Sequence, residues 1–329
     1  MAGVGAQKAV EEGLRVFDTP ELKARFKSSR ERLADYFSWS EKMWANEEWF
    51  WDRDWWRETL TRYCGLGPGS KILDMGCGNG ALLRVLNPSL IPGGSAMGID
   101  RNEVAVEAGN RFDQEHGFEG IQLTLGDCSE ATRHFGESQF DIVTEVGMLC
   151  STPYPESVHK SLAEIVRLLK PGGFFVSLEE ELAMIMSGAW MSPGVEEAQQ
   201  GWLNAMTRGF MATKRSNTRI APEMMPLMQK YGFVGLRTRP YCVPDCSPPF
   251  TQAQVDRIKR FAHTFLPNHP DYTVHKVLLE AGGLTSDQVE RYAATLHKWW
   301  TDRGEMMARG EKPVLNRQIY LLTIGKKPL

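Results

Sequence analysis

Cysteine is scarce in this chain: six residues in 329, at positions 64, 77, 128, 150, 242 and 246. So thin a scatter builds no disulfide framework, and free thiols are expected. Cys242-x-x-x-Cys246 has no second paired cluster, so no zinc or other metal is expected. A basic excess is also missing. Lys plus Arg number 38 against 41 Asp plus Glu, a net charge of −3, which argues against a dedicated nucleic-acid binder. Long apolar runs are absent too. The longest uncharged stretches are Val85–Ile99, broken by Pro88, Pro92 and two glycines, and Leu182–Val195. Neither reaches the ~18 apolar residues a spanning helix needs. The first residues run into Glu11 and Glu12 with no apolar leader core or cleavage site, so a cytoplasmic protein without a membrane span is expected.

What is present divides by texture. Residues 1–62 are helical in rhythm and hold six of the ten tryptophans between positions 39 and 56. Residues 63–180 alternate short apolar runs with amphipathic stretches, the pattern of a parallel sheet covered by helices on both faces. Strands are predicted at Lys71–Met75, Ser95–Asp100, Ile121–Leu125, Phe140–Val146 and Gly173–Glu179. Helices are predicted at Gly80–Leu86, Glu103–Glu115, Ser129–Phe135 and Glu156–Leu169. The last carries an apolar stripe through Val158, Leu162, Ile165, Val166 and Leu169. Residues 181–329 are expected to hold the last two strands, near 233–243 and 318–324, around a polar helical block at 251–309. That block reads as a cap inserted into the core and not as a separate domain.

The most informative stretch is Asp74-Met75-Gly76-Cys77-Gly78-Asn79-Gly80. An apolar strand meets an acid, three glycines at alternate positions, and a helix. Glycine lets the backbone turn sharply and approach a ligand closely. Dinucleotide loops space their glycines as G-x-G-x-x-G over a pyrophosphate. Here the spacing differs, and the acid favours a cationic partner over a phosphate. Two further strands end in acids: Gly98-Ile99-Asp100 and Gly126-Asp127-Cys128. Asp100, twenty residues past Gly80, is placed to accept ribose hydroxyls. Asp127 could accept from an adenine amine, or merely cap the next helix.

These residues resemble the motifs of class I S-adenosylmethionine-dependent methyltransferases. Phe140-Asp141-Ile142-Val143-Thr144-Glu145 resembles the family's fourth-strand motif, and Leu168-Leu169-Lys170-Pro171-Gly172-Gly173-Phe174 the turn before its fifth strand. The resemblance covers about residues 65–180, with the closing strand. It implies a Rossmann-like α/β fold, a seven-stranded, mostly parallel sheet with an antiparallel last strand, to which the sequence's own texture adds an N-terminal helical lid and a helical cap insertion. It implies S-adenosylmethionine as cofactor, met by Asp74, Gly76, Cys77, Gly78, Gly80, Asp100, Arg101, Asp127 and Cys128. Glu145 stands where many relatives carry a small residue near the cofactor.

The expected reaction is an in-line methyl transfer to a small, partly apolar or aromatic metabolite of secondary metabolism. Nucleic acid is not an expected partner, and the sequence leaves a homodimer open. Base candidates are Glu145 and His159, although an exposed helix face is the plainer place for His159. The Glu179–Glu181 run reads as a solvated strand end. Tyr36, Trp39, Trp44 and Trp49 offer large apolar faces for a substrate lid. Competing readings are cofactor binding without methyl transfer, methylation of protein or RNA, and a nicotinamide dehydrogenase, the last disfavoured by the loop spacing.

Overall fold

The computed structural model describes residues 53–90, 92–180, 186–187, 191–213, 215–244, 252–311 and 316–329. Tyr36, Trp39, Trp44 and Trp49, named above as lid residues, lie outside them.

Helix α1 (Arg53–Cys64) leads into β1 (Lys71–Met75), α2 (Ala81–Leu90), β2 (Ser95–Asp100), α3 (Glu103–His116) and β3 (Ile121–Leu125). After β3 comes a 3-10 turn, Cys128–Glu130, then α4 (Thr132–Phe135), β4 (Phe140–Val146), α5 (Glu156–Leu168) and β5 (Leu169–Glu180). The four predicted strands from β1 to β4 match residue for residue. β5 begins earlier than expected, because Leu169 already pairs with Phe140. The single helix expected over 129–135 is instead a 3-10 turn capped by Asp127 and a four-residue helix.

The sheet order is β3-β2-β1-β4-β5-β8, with β8 (Asn316–Lys326) also paired to β7 (Val234–Pro244) and to the two-residue β6 (Met186–Ser187). β1 through β5 run parallel. β8 runs the other way, so the eight-stranded mixed sheet holds the expected seven strands, the last antiparallel, together with the two-residue β6. Its tail meets the head of β5: the Gly172 N–H donates to the Lys327 carbonyl at 3.0 Å, and the Lys327 N–H to the Gly173 carbonyl at 2.8 Å. The strands are apolar because helices cover both faces; β1 has only Lys71 exposed. The α5 stripe of Val158, Leu162, Ile165 and Leu168 packs with Leu73, Val143 and Phe175 in one core. Trp56, on α1, is fully buried, and Trp55 stacks on Tyr241 with ring centroids 4.0 Å apart. Those two tryptophans therefore pack on the sheet domain.

Residues 53–179, 220–241 and 320–329 make one compact unit, with α7 (Met224–Lys230) inside it. Residues 180–219 and 242–319 make another. That second unit contains α6 (Pro193–Ala212), α8 (Gln252–His263), α9 (Pro270–Ala281) and α10 (Ser286–Ala308). These inserted helices bury a core of their own. Ala198, Trp202 and Ala205 of α6 pack with Tyr272 and Leu279 of α9 and Val289, Tyr292 and Leu296 of α10. α6 and α9 touch backbone to backbone, because a Cβ at Gly209 would strike the Leu278 carbonyl and one at Gly282 the Ala205 carbonyl. The block splits after His263 and at Gly282–Gly283, and Thr285 opens α10 with a capping box to Gln288.

Candidate functional site

A cleft of about 370 Å³ opens at the carboxyl ends of β1 through β4, within the sheet unit. It lies where the strand order reverses between β1 and β4, the position at which open α/β sheets bind ligands. Gly76, Asp100, Arg101, Asp127 and Cys128 all line it. These are five of the residues the motifs singled out.

The glycine loop builds the floor. Gly76 has φ +77°, and a Cβ there would sit 2.5 Å from Met148 Cγ. Its N–H donates to the Ile99 carbonyl at 2.8 Å, tying β1's exit to β2. Cys77 and the other two glycines stand behind the surface. Cys77 is buried, with its side chain against the bare face of Gly98. The Gly78 N–H donates to Asp100 Oδ2 at 2.9 Å. Gly80, at φ +83°, packs against Leu123.

Asp100 also accepts from the Asn102 N–H, through Oδ1 at 2.8 Å. Each oxygen takes one backbone donor and retains a second lone pair for a hydroxyl in the cleft. Asp127 has the capping role the sequence allowed, and it also stands at the cleft. It caps the 3-10 turn through the Ser129 N–H at 2.8 Å, and it borders the cleft. Cys64, Cys77, Cys128 and Cys150 are free thiols. Burial pushes the Cys128 thiol up to about 12, so it remains a neutral wall.

Asp74 is 4 % exposed and is not itself a lining residue. Its Oδ1 accepts from the Thr144 hydroxyl at 2.8 Å. Burial raises its carboxyl from 3.8 to about 7; the Thr144 bond offsets part of this and the charge of Asp100 adds to it. A buried acid with no cationic partner among the described residues, two residues before the floor of the cleft, fits a ligand carrying a positive charge.

The two base candidates lie elsewhere. Glu145 is fully buried at the end of β4 and does not line the cleft. Its Oε2 faces the Met148 and Leu149 N–H groups at 3.2 and 3.4 Å. His159, half-buried on α5, pairs through Nδ1 with the Tyr231 hydroxyl at 3.0 Å, and it too is absent from the cleft wall. The expectation of a solvated Glu179 is overturned: this side chain is 0 % exposed.

Several lining residues carried no sequence signal. Val146, Gly147, Met148, Ser151, Thr152 and Pro153 come from the loop after β4, and Ser157 and Ser161 from α5. Gly147, at φ +62° with open space where a Cβ would stand, was the one legible clue among them.

The residues present fit S-adenosylmethionine. Bare glycine at Gly76 and Gly147 leaves room for close approach, Asp100 offers acceptors for a diol, and Asp74 supplies latent negative charge. Comparisons with known proteins agree. Residues 66–215 match the family model of a methyltransferase domain. The chain is 34 % identical over 111 residues to a sterol 24-C-methyltransferase of Yarrowia lipolytica, covering 34 % of this chain and 28 % of that enzyme. It is 27 % identical over 202 residues to a demethylmenaquinone methyltransferase of Staphylococcus aureus, covering 56 % of this chain and 77 % of that one. Among solved structures, a Haemonchus contortus phosphoethanolamine N-methyltransferase 2 aligns at 16 % identity and a TM-score of 0.47, over 85 % of this chain and 53 % of its own. Residues 66–215 therefore carry a methyltransferase domain, with S-adenosylmethionine as its cofactor.

Proposed function

We propose that this protein transfers the cofactor's methyl group, by in-line displacement, to a small and partly apolar acceptor. The observation that carries the reading is the convergence of Gly76, Asp100 and Asp127 on one cleft at the switch between β1 and β4. When bound, S-adenosylmethionine supplies a methyl group already activated by its sulfonium. Asp100 would hold the ribose hydroxyls, Asp127 and the Cys128 backbone the base edge, and Asp74 the ammonium end. Gly76 admits the ligand to the floor. The loop carrying Gly147 and Met148 walls the site and keeps water from the reacting atoms. With Glu145 and His159 off the cleft wall, the protein's work is alignment.

The names of the two curated relatives denote a sterol and a menaquinone precursor, which supports an apolar acceptor. Tyr36, Trp39, Trp44 and Trp49 are the residues we would place over it. The test is formation of S-adenosylhomocysteine on incubation with S-adenosylmethionine and a panel of sterol, quinone and phenol acceptors. Turnover on one of them, with tight cofactor binding by calorimetry, is expected. Tight NAD binding without S-adenosylmethionine binding would defeat the proposal.

A further inference from the structure

We propose that Glu145 and Glu179 share a single proton and, as one unit, hold the loop after β4 in the shape that walls the cleft. Both side chains are 0 % exposed. They stand at the ends of neighbouring parallel strands, where Glu145 is opposite Ser177 and Val146 opposite Leu178. Glu145 Oε2 faces the Met148 and Leu149 N–H groups, and Glu179 Oε1 accepts from the Cys150 N–H at 3.1 Å. Three consecutive loop residues are thus gripped by two carboxyl groups. The loop so held supplies Gly147, Met148 and Ser151 to the cleft.

The remaining oxygens identify the proton's place. Glu145 Oε1 and Glu179 Oε2 are buried and meet no donor. An unsatisfied buried acceptor is costly, and two adjacent carboxylates cannot both be charged in so dry a site. One proton resolves both problems: carried on Glu145 Oε1, it is donated to Glu179 Oε2. Among the described residues neither group has an ion-pair partner. Burial and the neighbouring Glu179 charge hold Glu145 well above the ordinary range, against smaller opposing effects of the Ser177 hydroxyl and the Met148 N–H. Burial also raises Glu179, opposed by its bonds to Glu145 and Cys150. The titratable group facing the pair from the loop is Cys150, whose thiol burial pushes upward; it stays neutral. Glu145 and Glu179 are positioning residues that act on the ligand through the loop. The effect on ligand binding rests on the reading of the cleft as the cofactor site; the shared proton does not.

Infrared spectroscopy of the full chain at neutral pH tests the proton directly. In the Asp74→Asn background, which removes the other buried acid raised to about 7, a protonated-carboxyl C=O band is expected and should be missing once Glu145→Gln is added, whose amide makes the same donation to Glu179. Calorimetry with S-adenosylhomocysteine tests the loop. Wild-type affinity should fall more steeply at alkaline pH than that of Glu145→Gln, in which only the ligand's own amino group is left to titrate. Glu145→Leu, which removes the acceptor of the loop N–H groups, should bind more weakly than Glu145→Gln at every pH, by on the order of tenfold. Absence of the band, or a Glu145→Gln variant with the wild-type pH profile and the affinity of Glu145→Leu, would overturn the proposal. Failure of the wild type to bind S-adenosylhomocysteine would defeat the cofactor reading instead, and the infrared band would then decide the pair alone.

Discussion

With Asp74 at the ammonium end, as proposed, cofactor binding becomes a titration. Its carboxyl is raised from 3.8 to about 7 by burial, and only its charged form attracts an ammonium group. A free amino group of this kind titrates near 8, so it stays largely cationic between pH 6 and 7.5. Over that interval the ionised fraction of Asp74 changes from roughly one-tenth to three-quarters, and affinity should drop roughly eightfold on going from pH 7.5 to pH 6. Binding at pH 6 should also release close to one proton, visible as a dependence of the calorimetric enthalpy on the ionisation enthalpy of the buffer. Asp74→Asn keeps an acceptor for the Thr144 hydroxyl and has no charge to lose. It should bind more weakly at pH 7.5 and show no slope. Stability without ligand carries the opposite sign. The folded state holds a proton that the unfolded chain releases between pH 3.8 and about 7. Wild-type stability therefore declines as pH rises through that window, by up to roughly 4 kcal/mol, and Asp74→Asn removes the decline. A flat affinity profile in the wild type, or an equal slope in Asp74→Asn, would refute the reasoning.

Other positions give sharper structural tests. Asp100→Ala removes the acceptor of the Gly78 and Asn102 N–H groups along with the expected ribose contact, so cofactor affinity should fall by roughly 1–3 kcal/mol; an unchanged dissociation constant would reject the ribose assignment. Gly76→Ala places a Cβ against Met148 in a left-handed backbone, a strain of about 1–2 kcal/mol before the clash; thermal melting should show the loss, partly restored by a second change, Met148→Ala. Arg84→Ala strands the buried Asp113 carboxylate and should cost about 3–5 kcal/mol in urea unfolding. His159→Ala should leave the turnover rate nearly intact, whereas loss of a true general base slows a reaction roughly a hundredfold or more.

The strands were legible because each apolar run ends abruptly in an acid or a glycine. Lys71–Met75, Ser95–Asp100, Ile121–Leu125 and Phe140–Val146 needed no tertiary information. Local chemistry likewise gave the ring of Gly76, Asp100, Asp127 and Cys128, since strand ends in a parallel sheet face one way. Through-space pairing was hidden. Glu145 and Glu179 are 34 positions apart, and an acid at a strand end looks solvated until the neighbouring strand is in place. The separate core of the helical unit was hidden for a related reason: it gathers Trp202 and Leu296 into one cluster, a grouping that no periodicity reveals. The serines on α5 were invisible because their helix displays its apolar face so clearly.

Arg84 reaches from α2 behind the glycine loop, 2 % exposed, donating to the Asn79 carbonyl at 2.6 Å, the Gly109 carbonyl at 3.0 Å and Asp113 at 2.5 Å. A guanidinium anchored at three points fixes the rear of the turn before any nucleoside arrives. The receptor surface is cast in advance, and little freedom remains to be surrendered on association. Affinity can therefore drift through substitutions at Arg84, Gly109 or Asp113, none of which the ligand ever meets.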